Sequence, residues 1–401
     1  MNWTFNVGLM PYGPWWRRHR KVFHDHFSPS VISKYDNVQL RNARSFLGQL
    51  LETPDDFLHH IHHVFASVIM EVVYGVKIRD SKDDPYVAAM QDSIDDISVA
   101  GVPGSFMVDF LPWLKYVPAW FPGASFQKVA ARARERTHRL VVTPFNEVKA
   151  AVKAGTAQPS VVMSIINELV DDSSREEEER VAQNVAAVAY VAGADTTASA
   201  VQAFFLAMAL HPDAQKKAQA ELDAVVGPGR LPDFSDLPSL PYLDALMKET
   251  LRWHQVVPFG VAHTTSEDDE YNGYFIPKGT VVMGNAWSMM NDPTVFEAPS
   301  VFNPDRYLKN PELRSPYEAF FGYGRRMCPG RFFSDRNLFA LSSSVLSVFD
   351  ILPPVDANGN PMKLEYEPMT GFVSFPSPYS CRIVPRSLAA KKLILDAQIQ
   401  A

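Results

Sequence analysis

One of the two cysteines of this sequence stands in a setting that favours a metal-binding thiolate. Cys328 follows Phe-Gly-Tyr-Gly-Arg-Arg-Met at 321–327 and precedes Pro329. The two glycines permit backbone turns that other residues avoid, so the loop can fold beneath a bulky flat ligand. Pro329 is favoured as a first helical residue, and a sulfur at a helix start is stabilised as thiolate by free N–H groups and the helix dipole. The alternative is a buried structural cysteine beside an accidental pair of glycines.

A second group of reactive side chains lies in the middle of the longest predicted helix. This helix begins near Ser174, which has a glutamate three residues on, and ends at Pro212. Its middle, 192–197, reads Ala-Gly-Ala-Asp-Thr-Thr. A glycine there costs about 1 kcal/mol relative to alanine, and a buried carboxylate costs more unless it is paired. Such local conflict is typical of a functional site, while the alternative is that Asp195 is a satisfied core residue.

Three further patterns combine charge with aromatic rings or helix spacing. Glu249 and Arg252 lie at i, i+3 on one helix face, which by itself usually indicates a surface ion pair. The segments 16–20 (Trp-Arg-Arg-His-Arg) and 302–307 (Phe-Asn-Pro-Asp-Arg-Tyr) place arginines near aromatic rings. Taken alone, 16–20 is equally well a solvated basic helix, and His263 a core histidine.

Composition excludes several classes of function. Apolar residues make up 46% of the chain and charged residues 21%, and the formal net charge of −7 argues against a nucleic-acid partner. With two cysteines, Cys328 and Cys381, a disulfide framework or a four-cysteine metal site is impossible. A single bridge between them is open by counting, but the setting of Cys328 argues against it. Four histidines, at 59, 60, 62 and 63, are interpreted as residues of a helix face rather than as a metal site.

The order of elements indicates a mainly α fold with a smaller β-rich part. Helices are predicted from apolar spacing and from Gly and Pro boundaries, and strands from β-branched runs. The apolar stretch 101–123 is predicted to be loops and turns, and no stretch reaches the ~18 apolar residues that a membrane span requires. The predicted helices are Trp15–Phe27, Phe57–Val76, Lys128–Ala154, the long helix, Asp213–Val226, Leu240–Val256 and Arg331–Phe349, and strand-like segments are predicted at Tyr271–Met283 and Leu364–Pro385.

The cysteine loop resembles the haem-binding loop of cytochromes P450. That loop has the form Phe-x-x-Gly-x-Arg-x-Cys-x-Gly, and 321–330 fills every fixed position. The resemblance extends over essentially the whole chain, and 108–113 is similar to filamentous-fungal microsomal members. It implies one P450 domain over 1–401 and haem b (iron protoporphyrin IX) as cofactor, with Cys328 as iron ligand and Phe321 at the haem. A Cys thiolate is the haem ligand of this family.

The other motifs acquire roles through the same resemblance. In the long helix, Gly193 would leave room for dioxygen, and Asp195 with Thr196 would handle protons. Propionate groups of haem would be bound by Trp16, Arg20, His263 and Arg326. Arg306, in 302–307, would join Glu249 and Arg252 in a buried structural triad. Residues implied to face the substrate are Tyr190, Ala194, Val257, Pro258, Phe259, Phe372 and Val373.

The resemblance implies an oxidoreductase that inserts one atom of O2 into a small apolar organic substrate. Because the chain has no dinucleotide fingerprint, electrons are expected from a separate NADPH-cytochrome P450 reductase, with Arg17, Arg18 and Lys21 as a hypothetical docking patch. A P450-like isomerase or a peroxide-using enzyme is a further alternative, but neither would need Asp195 and Thr196.

The chain is expected to be truncated at its N-terminus. Relatives carry a membrane anchor, a hinge and an N-terminal sheet before the segment that corresponds to Trp16, and they are expected at the cytosolic face of the endoplasmic reticulum membrane. The alternative to an active monooxygenase is therefore a truncated, inactive remnant that binds haem weakly or not at all.

Overall fold

The computed structural model describes residues 2–79, 84–100 and 104–400, and most of these residues are helical. The first three residues of the predicted loop region 101–123 lie outside the described residues. The helices of the described part are α1 Pro14–Phe27, α2 Asp36–Glu52, α3 Phe57–Tyr74, α4 Pro85–Ala100, α5 Met107–Phe110, α6 Ser125–Ala154, α7 Val161–Glu168, α8 Arg175–Leu210, α9 Pro212–Val225, α10 Pro241–Trp253, α11 Ala286–Met290, α12 Asp305–Lys309, α13 Tyr317–Phe320, α14 Arg331–Val348 and α15 Leu388–Gln400.

Six short strands form three two-stranded sheets in the described residues. They are β1 His263–Thr264, β2 Asp269–Tyr271, β3 Tyr274–Ile276, β4 Val281–Val282, β5 Phe349–Leu352 and β6 Arg382–Pro385. β1 pairs antiparallel with β4, β2 with β3, and β5 lies beside β6. Asn272 and Gly273 both have positive φ and connect β2 to β3, as an Asn-Gly hairpin turn requires. The expected mainly α architecture with a small β-rich part is confirmed.

The described residues group into two compact units. The first contains Met1–Ala198, Pro329–Val348 and Pro385–Ala401. Its core is formed by apolar side chains of α1, α3, α6, α7 and the first part of α8, together with Phe333 of α14. α2 packs against α3, α14 and α15 in the same unit. The buried apolar residues of α8 from Val181 to Ala194 are therefore part of this core.

The second unit contains Ser199–Cys328 and Phe349–Val384. Here α10 packs against α9, α12 and α13, and a small apolar cluster joins Ala286, Met290, Phe296 and Ala319. The three sheets belong to this unit apart from Pro385. The single P450 domain expected over the whole chain remains a prediction.

α8 is the longest helix of the described residues, with 36 residues. Three glutamates, Glu176 to Glu178, stand in its first turn, where negative charge suits the helix dipole. It ends at Leu210 because Pro212 cannot continue a helix and instead opens α9. In the described residues no helix is both long enough and apolar enough to cross a membrane.

Candidate active site

The cysteine loop is shaped by two left-handed glycines and a short 3₁₀ turn. Gly322 has a φ of +76° and Gly324 a φ of +53°. The turn covers Gly324–Arg326, and the backbone N–H of Cys328 donates to the carbonyl of Phe321 at 2.8 Å, which closes the loop. A Cβ on either glycine would meet no described atom within 4 Å. Glycine is therefore required by the backbone conformation, and the adjacent side of the loop is open.

The surroundings of the two cysteines differ. Cys328 is partly exposed, whereas Cys381 is buried. Phe321, at the start of the loop, stacks on Tyr317 with ring centroids 5.6 Å apart and meets Phe320 edge-on at 4.9 Å. These rings anchor the first residue of the loop, so the position of Cys328 depends on α13. A ligand can reach only the exposed cysteine.

The middle of α8 is buried except on one face. Between residues 184 and 198, every residue except Ala192, Gly193 and Thr196 is buried. These three lie at i, i+1 and i+4 and so share one side of the helix. Tyr190 and Ala194 are each only 1% exposed. Their expected place beside the substrate stays a prediction, and the open face adds Ala192 as a further candidate.

Asp195 and Thr196 have different surroundings although they are neighbours. The hydroxyl of Thr196 donates to the carbonyl of Ala192 at 2.6 Å, so its oxygen lone pairs remain available on the open face. Asp195 is 3% exposed, and its Oδ1 makes no hydrogen bond within the part of the chain that the structure describes. Nδ1 of His62, in α3, lies 3.6 Å from this Oδ1. A protic hydroxyl and a buried acid thus stand side by side.

Gly193 has a packing role that the sequence did not indicate. A Cβ added there would lie 3.3 Å from Cγ1 and Cδ1 of Ile69, in α3. Glycine therefore allows α3 to approach α8 closely. The expectation that Gly193 makes room for dioxygen remains a prediction beside this observed contact.

Trp16 and Arg20 come together on α1. Trp16 is buried, and the guanidinium carbon of Arg20 lies 5.7 Å from the centroid of its ring. His19 lies between these two residues in the sequence and is fully buried. Its Nε2 accepts a hydrogen bond from Nδ2 of Asn184, and its Nδ1 donates to the carbonyl of Trp15. The pKa of His19 is lowered chiefly by burial, which favours this neutral form. The histidine fixes α1 against α8 and so orients the Trp16–Arg20 pair.

His263 and Arg326 both belong to the second unit. His263 is exposed in β1, opposite Val282 of β4, so it is not the core histidine that was the alternative. Arg326 is partly exposed and ends the 3₁₀ turn of the cysteine loop. Their expected role at the haem propionates stays a prediction.

Glu249, Arg252 and Arg306 form a buried ion network. Arg252 donates to both carboxylate oxygens of Glu249 at 2.9 Å, and Nε of Arg306 lies 3.1 and 3.2 Å from the same oxygens. Glu249 and Arg252 are fully buried. The remaining donors reach backbone carbonyls: Arg252 bonds Met290, and Arg306 bonds Glu297 and Val301. The network therefore ties α10 to α11 and α12 and is not a surface ion pair.

A buried cluster around His254 joins two segments expected to face the substrate. Nε2 of His254 lies 2.9 Å from Oγ of Ser199, and its Nδ1 lies 2.9 Å from the hydroxyl of Tyr366. Ser199 donates to the carbonyl of Ser374, whose N–H donates to Val256. Burial lowers the pKa of His254 to about 4. The cluster holds 257–259 beside 372–373, and no local sequence signal indicated it.

The histidines of α3 have separate local partners. His60 bonds Thr53 at 2.8 Å, and His63 bonds the carbonyl of Arg79 at 2.9 Å. Among the described residues, no group of three or more His, Cys, Asp or Glu side chains is placed to hold a metal ion.

Acidic residues partly neutralise the basic face of α1. Arg18 pairs with Glu177 at 2.5 Å and also with Glu178, both from the start of α8. Lys21 pairs with Asp25 at 2.7 Å. Arg17 is exposed and lies over the ring of Tyr12. Of the three cations expected to dock a reductase, Arg17 is therefore the one that pairs with no carboxylate among the described residues.

Comparison with known proteins identifies the class. The sequence model named Cytochrome P450 matches residues 6–382. "Cytochrome P450 monooxygenase COX2" of Coprinopsis cinerea is 45% identical over 402 residues, which cover 99% of this chain and 76% of that protein. "Tryptamine 4-monooxygenase" of Psilocybe cyanescens is 40% identical, covering 96% of this chain and 77% of that protein. A zebra fish cytochrome P450 solved with abiraterone superposes with a TM-score of 0.75 at 25% identity, covering 96% of this chain and 85% of that one.

The chain belongs to the cytochrome P450 family and has its fold, so it is an oxidoreductase of the monooxygenase type. Members of this family contain haem, and the residues present fit such a group. Cys328 is an accessible thiol on a loop whose glycine side is open, and the open face of α8 carries only small or hydroxyl side chains. Trp16 and Arg20 supply an N–H and a cation side by side, which suits a carboxylate.

Proposed function

We propose that this chain is a haem b monooxygenase in which the thiolate of Cys328 would bind the iron. It inserts one oxygen atom of O2 into an apolar organic substrate and takes electrons from a separate NADPH-cytochrome P450 reductase. The observation that carries the proposal is the cysteine loop: two left-handed glycines and the bond from Cys328 N–H to Phe321 hold a partly exposed thiol beside open space. When bound, haem supplies the redox chemistry on dioxygen.

The chain's own part in the reaction is to hold the group and to move protons. Cys328 would bind the iron as thiolate, while Trp16, Arg20, His263 and Arg326 would bind the propionates. On α8, Thr196 presents hydroxyl lone pairs on the open face, since its proton is donated to Ala192. Asp195, buried next to it, holds a proton or gives it up at Oδ1.

The residues available to a substrate support an apolar one. On α8 the open face consists of Ala192, Gly193 and Thr196. In the second unit, 257–259 and 372–373 are at least partly exposed, and Phe259 is 52% exposed. A site built mostly of apolar side chains with few polar groups binds apolar molecules. We expect Phe259→Ser to weaken binding of apolar ligands, measured by titration of the haem absorption band, and Phe275→Ser, an exposed phenylalanine of β3, to leave it unchanged.

The proposed reductase would dock where cations remain available on α1. Arg17 is exposed, whereas Arg18 is engaged by Glu177 and Glu178. Reversal of charge at Arg17 should therefore slow reduction of the haem by the reductase without loss of haem. Arg18→Glu is a poorer probe because it also breaks the contact between α1 and α8. Unchanged reduction kinetics in Arg17→Glu would contradict docking at this face.

A place at the cytosolic face of the endoplasmic reticulum membrane is supported by an exposed apolar segment. Between α4 and α6 the described residues include seven exposed large apolar side chains, and Tyr116 and Trp120 reach 78% and 80%. Apolar side chains concentrated like this favour contact with lipid or protein. In a flotation assay with phosphatidylcholine vesicles, the double variant Trp113→Ser with Trp120→Ser should float in a smaller fraction than the wild-type chain. The control variant Trp287→Ser, at an exposed tryptophan of α11, should float like the wild-type chain. Equal flotation of the two variants would contradict this location.

The decisive experiment is the carbon monoxide difference spectrum of the haem-loaded, dithionite-reduced chain. Thiolate ligation shifts the Soret band strongly to the red, and Cys328→Ala should abolish that band. Cys381→Ala is the matched control, because it removes the other, buried thiol, and should retain the band. A spectrum typical of a neutral or histidine ligand in the wild-type chain would overturn the proposal.

A further inference from the structure

The buried carboxylate of Asp195 has one basic neighbour in α3. Oδ1 of Asp195 makes no hydrogen bond in the described residues, and Nδ1 of His62 lies 3.6 Å away. This distance is too long for a hydrogen bond but is within ion-pair range. A carboxylate in a low-dielectric interior is costly unless a charge or donor compensates it. His62 is therefore the side chain placed to compensate Asp195.

The packing of α3 on α8 fixes this neighbour in place. Besides the contact of His62 with Asp195, Ile69 faces Gly193, and the ring of Tyr74 meets that of Tyr190 edge-on at 6.4 Å. As α3 advances from 62 to 74, the contacted residues of α8 go back from 195 to 190, so the helices run in opposite senses. Because Gly193 has no Cβ, α3 comes close enough for His62 to reach the acid.

His62 also differs from Asp195 in its access to water. The side chain of His62 is 28% exposed and that of Asp195 is 4% exposed. An imidazole has two nitrogens, so it can take a proton from water at one and give a proton from the other. The partly exposed ring thus connects solvent with the buried acid, and Thr196 follows that acid on the open face.

We infer that His62 is the positioning residue of Asp195 and the point at which protons from solvent reach it. After Asp195 gives up its proton, the imidazolium of His62 transfers its Nδ1 proton to Oδ1 and is left as the neutral ring protonated at Nε2. Rotation of the ring then turns the vacant nitrogen toward solvent, where a hydronium ion protonates it and restores the imidazolium. No oxidant or reductant is consumed in this step. The inference rests on the proposed monooxygenase function and adds the route by which its acid is recharged.

The first test measures the pair itself and needs no turnover. Urea unfolding midpoints are compared for wild type, His62→Phe, Asp195→Asn and the double variant. If the two side chains interact, His62→Phe lowers the midpoint in the wild-type chain more than in the Asp195→Asn chain. Strictly additive midpoints would overturn the inference, whatever the activity.

The second test uses the haem-loaded enzyme with its reductase and a turned-over substrate. His62→Phe should lower product formed per NADPH several-fold and raise peroxide release, while KM stays unchanged. His62→Asn, whose amide can hold the acid in place but cannot carry a proton, should unfold nearly like wild type yet give the low yield of His62→Phe, and His59→Phe on the same helix should resemble wild type. Equal yields in wild type and His62→Phe would overturn the inference. If the wild-type chain showed no thiolate-ligated haem, the proposed function would be overturned instead. The unfolding comparison would then still show whether His62 and Asp195 interact.

Discussion

At the scale of single residues, the two kinds of buried charge in this chain are handled differently. Glu249 is surrounded by donors: both arginines, and the backbone N–H of Asn303 at 2.8 Å. Asp195 has a single histidine at ion-pair distance and an oxygen without a hydrogen bond in the described residues. A fully bonded carboxylate suits a structural role, whereas an oxygen without a hydrogen bond suits the proton-exchanging role proposed for Asp195.

Glu249→Gln should destabilise the fold strongly. The change leaves Arg252 and Arg306 as buried charges without a counter-charge, and breaking such a network costs about 3–5 kcal/mol. The free energy of unfolding from urea titration checks this. The control is Glu318→Gln, which removes an exposed carboxylate 3.8 Å from Arg314 and should change stability by less than about 1 kcal/mol. Equal losses in both variants would contradict the structural role of the network.

At the scale of elements, the close approach of α3 to α8 depends on Gly193. Gly193→Ala should gain about 1 kcal/mol of helix propensity but crowd Ile69, because the new Cβ would lie 3.3 Å from that side chain. Ile69→Ala removes both crowding atoms, so the double variant should be more stable than the sum of the single changes predicts. Unfolding midpoints of the four chains measure this coupling. Additive changes in the unfolding midpoints would show that a Cβ at position 193 fits between α3 and α8 without crowding Ile69.

His254 makes the second unit sensitive to acid. Its folded pKa of about 4 lies below the unfolded value of 6.5, so the folded chain favours the neutral ring. The stabilisation from this neutral preference is fully present above about pH 6.5 and falls by about 3 kcal/mol as pH approaches 4. His254→Gln should reduce the decrease in unfolding free energy between those pH values, although it weakens the fold at neutral pH. Substitution of the exposed His24 by Gln should leave the slope unchanged; an unaltered slope in His254→Gln would contradict this.

At the scale of the whole molecule, the family and the fold are established over nearly the full chain, and haem is the group that its cysteine loop fits. A ligand that binds only the folded chain stabilises it in proportion to the logarithm of its concentration. We expect removal of haem to lower the melting temperature and added haemin to raise it again. In Cys328→Ala the rise should be smaller, and in Cys381→Ala it should equal that of wild type. A melting temperature independent of haem would contradict binding to the folded state.

Some helices could not be predicted from the sequence because tertiary contacts explain their residues. α2 and α15 were not predicted. In α2, Gly48 weakens the helical pattern, but a Cβ there would lie 2.7 Å from the side chain of Gln398 in α15. Gln398 in turn donates to the carbonyl of Arg44 at 2.8 Å. The glycine that obscures α2 in the sequence is thus explained only once α15 is packed against it.

Features that depend only on neighbouring residues could be predicted from the sequence. The positive φ angles at Gly322 and Gly324, the end of α8 before Pro212 and the Asn-Gly turn follow from backbone sterics, which act within a few residues. The cysteine loop could therefore be identified as a motif from the sequence.

Only the tertiary structure decided which distant side chains meet. Glu249 and Arg306 are joined across α10 and α12, Ser199 and Tyr366 meet at His254, and His62 reaches Asp195 because α3 packs on α8 at a glycine. Their partners are set by packing between elements far apart in the chain. Hydrogen bonds and ion pairs form between groups a few ångströms apart in space, however far apart the residues are in sequence. Local helix and strand propensities therefore cannot predict these partners.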